Sequence, residues 1–399
     1  MIKFGIRRNL IYPIILIICD FLRKIDVYAM TDFNLKYSLL FVLLMFLSEL
    51  VSGISLFLYH KKYSTNKNET EKAFMGIKLI NSTIINILYP DSSLKLYILI
   101  FLISLFDFIE FLLLTYYYPK NVGALTNYDK NDGFFTLDIR LSSIFAIISS
   151  LLYWKIFKSK IYWHQKLSLY IIFICTMFII ILDFFFEKLY FNHEIKDIFK
   201  VFGLIFITHP FSSIMENMEK YLLEYNFLNP FQLLMIEGGF GCAIICIFIL
   251  CFWLITDNSF IKEIIFENLK ETNAFLSIVF LFIFFILCGA RNVYKVVTNK
   301  IFSPITLSLS YCILNPIILI IYIIVKYSKE KDNHIFIIIY DIVNIFLSFI
   351  IVFFCCIYNE LIIVFCCDLE CDTHYEIYKR ADNDKNINYL LGDDDDISV

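Results

Sequence analysis

The 399-residue sequence lacks a nucleotide-binding P-loop, an HExxH zinc helix and a GxSxG nucleophile elbow. Charge is scarce: 18% of residues are charged, against about one quarter in soluble domains. No basic stripe with interleaved aromatics occurs and the net charge is only −4, which sets nucleic-acid binding aside. Between the apolar runs there is no stretch long enough for a soluble domain, which excludes large extramembrane enzymes and pumps driven by a nucleotide-binding domain. The N-terminal MIKFGIRRNLIYPIILIIC has the basic and apolar parts of a secretory signal but no small-residue cleavage site, so it reads as retained.

What the chain has is apolar length. Hydrophobic residues make up 59% of it, at a mean hydropathy of +0.73. A spanning helix needs roughly 20 apolar residues. Nine runs reach or approach this: Leu35–Leu58, Leu94–Tyr118, Leu137–Phe157, His164–Phe186, Ile198–Met215, Phe231–Ile255, Ala274–Tyr294, Ile301–Val325 and Ile335–Tyr358. A tenth, Asn9–Ile25, is short and carries Pro13, Asp20 and Arg23; it is read as a span. The runs lack barrel alternation, and lipid satisfies no backbone polar group, so helices are expected. The reading is an all-α polytopic membrane protein of about ten helices. The Lys and Arg surplus in alternate loops, including WKIFKSKIYWHQK, places both termini in the cytosol. The sequons at Asn68 and Asn81 would then carry no glycan.

Of the twelve cysteines, Cys175, Cys242, Cys246, Cys251, Cys288, Cys312, Cys355 and Cys356 fall within apolar runs and act as small hydrophobes. Cys366, Cys367, Cys371 and His374 form CCDLECDTH, a spacing poor for zinc and closer to an acylated juxtamembrane patch. No cofactor or metal is expected. Residues 367–399 read as an acidic, disordered cytosolic tail.

Ionisable groups inside the apolar runs are the candidate site. Glu49 shares a helical face with Ser52 and Gly53 and should face the bundle interior. Asp107 and Glu110 share one face and cannot both ionise cheaply, so either one titrates near neutrality or a cation pairs with them; Arg140, on a serine-lined helix, is the natural counter-ion. Asp183 and Glu187 read as snorkelling acids near a helix end. His209 precedes Pro210, expected to kink its helix, and Asn315-Pro316 interrupts a later one. Arg291 and Lys295 form a cationic face, either a substrate contact or a helix end meeting head groups. In MENMEKYLLEYNFLNPFQLLMIEGGFG (215–241), the first part reads as a polar helix end and short loop. Glu237 follows inside a span, beside Gly238 and Gly239. It should face a cavity, bonded to a substrate or to Arg140 or Arg291; otherwise it is a snorkelling acid near a helix start.

The stretches EKYLLEYNFLNPFQLLMIEGGFG, MFLSE, RLSSIFAIISSLLYWKIFKSKIYWHQKLSLYIIF and NVYKVVTNKIFSPITLSLSYCILNPIIL, with Asp107, resemble solute carrier family 35-like (EamA-like) proteins of the drug/metabolite transporter superfamily. The resemblance implies ten transmembrane helices in two inverted five-helix repeats, 1–190 and 191–366, joined near Lys188–Asp197, with a central cavity between the halves. It implies exchange of nucleotide sugars, phosphorylated metabolites or other small organic solutes across an endomembrane (Golgi, ER or lysosome-like). The expected partners are a small-molecule substrate and the bilayer, with a homodimer left open. A faint internal echo, LLMFLSELVSG against LLMIEGGFG, fits two related halves. A non-transporting membrane scaffold and a membrane-embedded transferase are the competing readings.

Overall fold

A computed structural model describes residues 2–4, 11–32, 39–64, 93–113, 140–158, 161–189, 195–226, 228–255, 274–329 and 335–365, with 369 and 373. The sequons, the cysteine-rich patch apart from Leu369 and Thr373, and the acidic tail lie outside these residues.

The described residues form eleven helices and one two-stranded ribbon: β1 Ile2–Phe4, α1 Ile11–Asp32, α2 Leu39–Ser64, α3 Ser93–Leu112, α4 Ser143–Phe157, α5 Trp163–Leu189, α6 Ile195–Tyr225, α7 Pro230–Ile255, α8 Ala274–Ile301, α9 Pro304–Ile313, α10 Asn315–Lys329, α11 Ile335–Tyr358 and β2 Ile362–Val364. Seven apolar stretches are long enough to cross a membrane: Leu40–Tyr59, Trp163–Phe186, Ile198–Tyr225, Pro230–Cys251, Phe275–Ile301, Pro304–Ile321 and Ile338–Tyr358. The protein is an all-α integral membrane protein. Ser143–Phe157 is a shorter apolar helix.

Two of the helices that outrun their apolar stretches shape the site. α6 continues past Met215 to Tyr225, so MENMEKYLLEY is helical throughout and not the helix end and loop expected of it. α8 continues past Tyr294 to Ile301. In both, the extra turns carry charged residues that find partners on another helix, described below. The run Ile301–Val325 is broken at Leu314, where α9 gives way to α10. Pro316 sits in the first turn of α10, where a missing N–H costs nothing.

The helices pack as two compact units, each drawing on both halves of the chain. Unit 1 is Met1–Ile11, Gly133–His209 and Pro304–Val399; unit 2 is Tyr12–Asp132 and Pro210–Ser303. In unit 1, α4 packs on α5 and α9, and α5 on α11. β1 pairs antiparallel with β2, Ile2 opposite Val364 and Phe4 opposite Ile362.

In unit 2 the closest-packed pair is α2 with α7. Gly53 lies against the backbone of Met235, Gly238 against the backbone of Leu50 and Phe46, and Gly241 against the Phe46 ring. Residue numbers rise on one helix as they fall on the other, so the two run antiparallel. At Gly53 and Gly238 glycine is required because a Cβ would collide with main-chain atoms of the neighbour. The two segments of the internal echo are the two that touch.

Unit 2 also holds two apolar clusters. One contains Phe41, Val42, Met45 and Phe46 of α2 with Phe108, Ile245, Phe284 and Cys288. The other contains Ile100 and Ile103 of α3, Met215, Leu222 and Leu223 of α6, Leu233 and Leu234 of α7, and Val296 of α8. On α3, α7 and α8 the charged residues fall between the positions that feed these clusters.

Candidate functional site

The unit 2 layer begins with α8. Arg291, Asn292, Lys295 and Asn299 recur at one- to four-residue intervals, so they line adjoining faces of one helix. Lys295 is buried, and its Nζ donates to Glu219 Oε1 at 2.7 Å. Asn299 Nδ2 donates to Glu219 Oε2 at 3.2 Å and to the Glu216 carbonyl at 2.9 Å. Lys220 Nζ caps the end of α8 by donating to the carbonyls of Lys300 (3.0 Å) and Phe302 (2.6 Å), and it pairs with Glu224 at 2.7 Å. The extra turns of α6 and α8 are therefore bound to each other. Lys295 is an interior cation, which corrects its reading as a helix end among head groups.

Asn292 Nδ2 donates to Glu49 Oε1 at 2.7 Å. Arg291 Nε donates to Asp20 Oδ1 at 3.1 Å, and Nη1 to Asn292 Oδ1 at 2.9 Å. Asp20 also pairs with Arg23 at 2.9 Å and Lys24 at 3.1 Å. These contacts explain the charges that made α1 a poor apolar run: Asp20 is buried and neutralised from its own helix and from α8.

The carboxylates of α3 and α7 complete the layer. Glu110 accepts a hydrogen bond from Ser212 and lies within electrostatic reach of Asp107, Lys295 and Arg291. Asp107 is within reach of Lys295, Arg291 and Glu219. Glu237 is 6% exposed and its Oε1 has no hydrogen-bond partner among the described residues. The charges acting on it are those of Glu219, Lys295, Glu49 and Asp107. The positive charge that acts most strongly on it is that of Lys295, where Arg140 or Arg291 had been expected. Glu216, 2% exposed, likewise leaves Oε2 unpartnered. The structure thus brings together Glu49, Asp107, Glu110, Glu237, Arg291 and Lys295.

Arg140, His209 and Asn315 belong to unit 1. Arg140 Nη1 donates to the Tyr340 hydroxyl at 2.8 Å, and that hydroxyl donates to Asp183. Arg140 Nε is 3.5 Å from Asp183 Oδ2. Tyr340 stacks on Phe186 with ring centroids 3.9 Å apart, and the Arg140 guanidinium lies 5.3 Å from the Tyr340 centroid. Arg140 pairs with Asp183, where the sequence had suggested Asp107 or Glu110 for it. Asp183 is fully buried and does not snorkel. Asn315 Nδ2 donates to Ser142 Oγ at 2.6 Å, tying the α9–α10 break to α4. The buried His209 ring stacks on Phe145 at 6.4 Å.

Tyr340→Phe removes a hydroxyl that bonds both charges. It should destabilise the protein by about 1–3 kcal/mol, the cost of leaving buried polar atoms short of a bond. Thermal unfolding in detergent reads this directly, and an unshifted melting temperature would contradict it.

Four residues that matter here carried no warning as site residues in the sequence. Asp20 looked like a defect in a short span, Glu216 and Glu219 like a polar helix end and loop, and Asn344 was not singled out. Asn344 is buried in α11 with neither amide atom hydrogen-bonded among the described residues. Among those residues no group of three or more His, Cys, Asp or Glu side chains could hold a metal ion. No protein-family model and no curated protein matches the chain.

Proposed function

We propose that the protein is a secondary transporter, similar to the solute carrier family 35-like members of the drug/metabolite transporter superfamily, and that it moves a small polar solute across an endomembrane by alternating access. One observation carries this reading: a layer of buried charges inside an apolar helix assembly, with Glu237 Oε1 left without a hydrogen-bond partner. A charged side chain at the bilayer centre costs about 3 kcal/mol on insertion scales. A scaffold gains nothing from acids buried among apolar helices.

Two features support ten crossings in inverted repeats. The pairing of β1 with β2 holds residues 2–4 and 362–364 on one side of the membrane, which requires an even number of crossings between them. The antiparallel α2–α7 contact centres on Leu50 and Gly238, each the residue after a buried glutamate. Glu49 and Glu237 thereby stand in equivalent places, as inverted copies of one helix would put them.

The test is uptake by purified protein in proteoliposomes. A transporter gives saturable uptake without ATP, accelerated by substrate on the far side; a scaffold or a transferase gives neither. Pro210 offers a second check. It lies inside α6, cannot donate to the Phe206 carbonyl, and marks the residue at which α6 leaves unit 1 for unit 2. Pro210→Ala is expected to lower uptake severalfold at unchanged expression. Full uptake by this variant would show that the proline is incidental to the transport cycle.

A further inference from the structure

We propose that the unit 2 layer takes a cationic solute, a small amine or quaternary ammonium compound, with Glu237 as its counter-charge. This rests on the transport reading above and narrows its substrate class.

The charge balance of the layer leads to it. Six carboxylates, Glu49, Asp107, Glu110, Glu216, Glu219 and Glu237, share one electrostatic neighbourhood with two cations, Arg291 and Lys295. Both cations are engaged. Lys295 is bonded to Glu219, and Arg291 to Asp20 and Asn292. Lys220 is turned to the end of α8 and to Glu224. With Asp20, bonded to Arg291, and its partners Arg23 and Lys24 counted as well, seven carboxylates face four cations, and three carboxylates are left over.

The second observation is independent of that count. Glu237 and Glu216 each bury an oxygen that no donor among the described residues reaches. A buried acceptor of this kind is unfavourable until a donor arrives. An ammonium group supplies both the donor and the missing positive charge. A phosphate or a nucleotide diphosphate brings no positive charge and would meet the surplus carboxylates head-on, because like charges brought together in a low-dielectric site repel strongly. The described carboxylates do not converge as metal ligands do, so the positive charge is assigned to an organic cation.

The experiment uses the full-length protein in proteoliposomes with two sets of labelled probes. The cationic set is choline, putrescine and tetraethylammonium; the anionic set is UDP-glucose and phosphoenolpyruvate. At least one cation is expected to show counterflow. Glu237→Gln should reduce its uptake by about thirtyfold or more, the loss on removing one partner of a buried charge pair. Glu224→Gln, at the outer edge of α6, should transport as the native protein does. Equal melting temperatures for Glu237→Gln and the native protein would exclude misfolding as the cause. Counterflow of an anionic probe alone would overturn the cation assignment and leave the transporter reading intact. Cation uptake indifferent to Glu237→Gln would overturn the role of Glu237. No flux of any probe would overturn both readings.

Discussion

Lys295→Met is expected to destabilise the protein by about 3–5 kcal/mol, the usual result of removing one partner from a buried ion pair. Lys295 is 2.7 Å from Glu219 and is also the positive charge within reach of Glu49, Asp107, Glu110, Glu216 and Glu237. Without it, Arg291 alone faces six acids. Methionine preserves the length and apolar stem of the side chain, so the effect isolates the ammonium group. The unfolding midpoint in mixed micelles of increasing denaturing detergent measures it. Lys295→Met combined with Glu219→Gln should recover most of the loss, because the acid that the lysine chiefly holds is then neutral. If the single variant unfolds at the native midpoint, or if the double variant is worse than the single, the Lys295–Glu219 pair does not hold α6 to α8.

The apolar runs were readable because lipid imposes their length and composition, and the helices follow them closely through α5, α7 and α11. Their ends were harder to read. Glu216, Glu219 and Lys220 look like solvated loop when only sequence neighbours are considered. Their partners, Lys295, Asn299 and the carbonyls of Lys300 and Phe302, lie far along the chain, and a local pattern contains no trace of them. Arg140 was mispaired for the same reason. Arg140 needs an acid, and Asp107 and Glu110 need a cation, but composition does not say which meet. Asp183 lay close to a helix end by position, and the fold covers that position completely. The candidate residues themselves were identifiable, because a charge in an apolar run is conspicuous. Their division between two compact units was not, since each unit mixes segments from both chain halves.

The glycine pair beside Glu237 carries the last prediction, in which adjacent positions respond with opposite sign. A Cβ at Gly238 would overlap the Leu50 nitrogen and lie 2.9 Å from the Leu50 Cα and the Phe46 carbonyl oxygen. These are main-chain atoms of a helix and cannot rotate away, so Gly238→Ala must force α2 and α7 apart. The expected cost is about 3 kcal/mol, at the upper end for overpacking. Separating these helices also moves Glu49 and Glu237, which follow the contact on either side, so uptake should fall with stability. At Gly239 the nearest atom to a new Cβ is Leu50 Cδ1 at 3.8 Å, an ordinary contact. Gly239→Ala therefore gains helix propensity of about 1 kcal/mol without a clash, and should raise the melting temperature while leaving uptake unchanged. Both variants change one methyl group at neighbouring positions of one helix, so expression and detergent effects cancel in the comparison. Equal melting temperatures for the two would mean that α2 and α7 do not cross at Gly238, and Glu49 and Glu237 would lose their equivalent places about that contact.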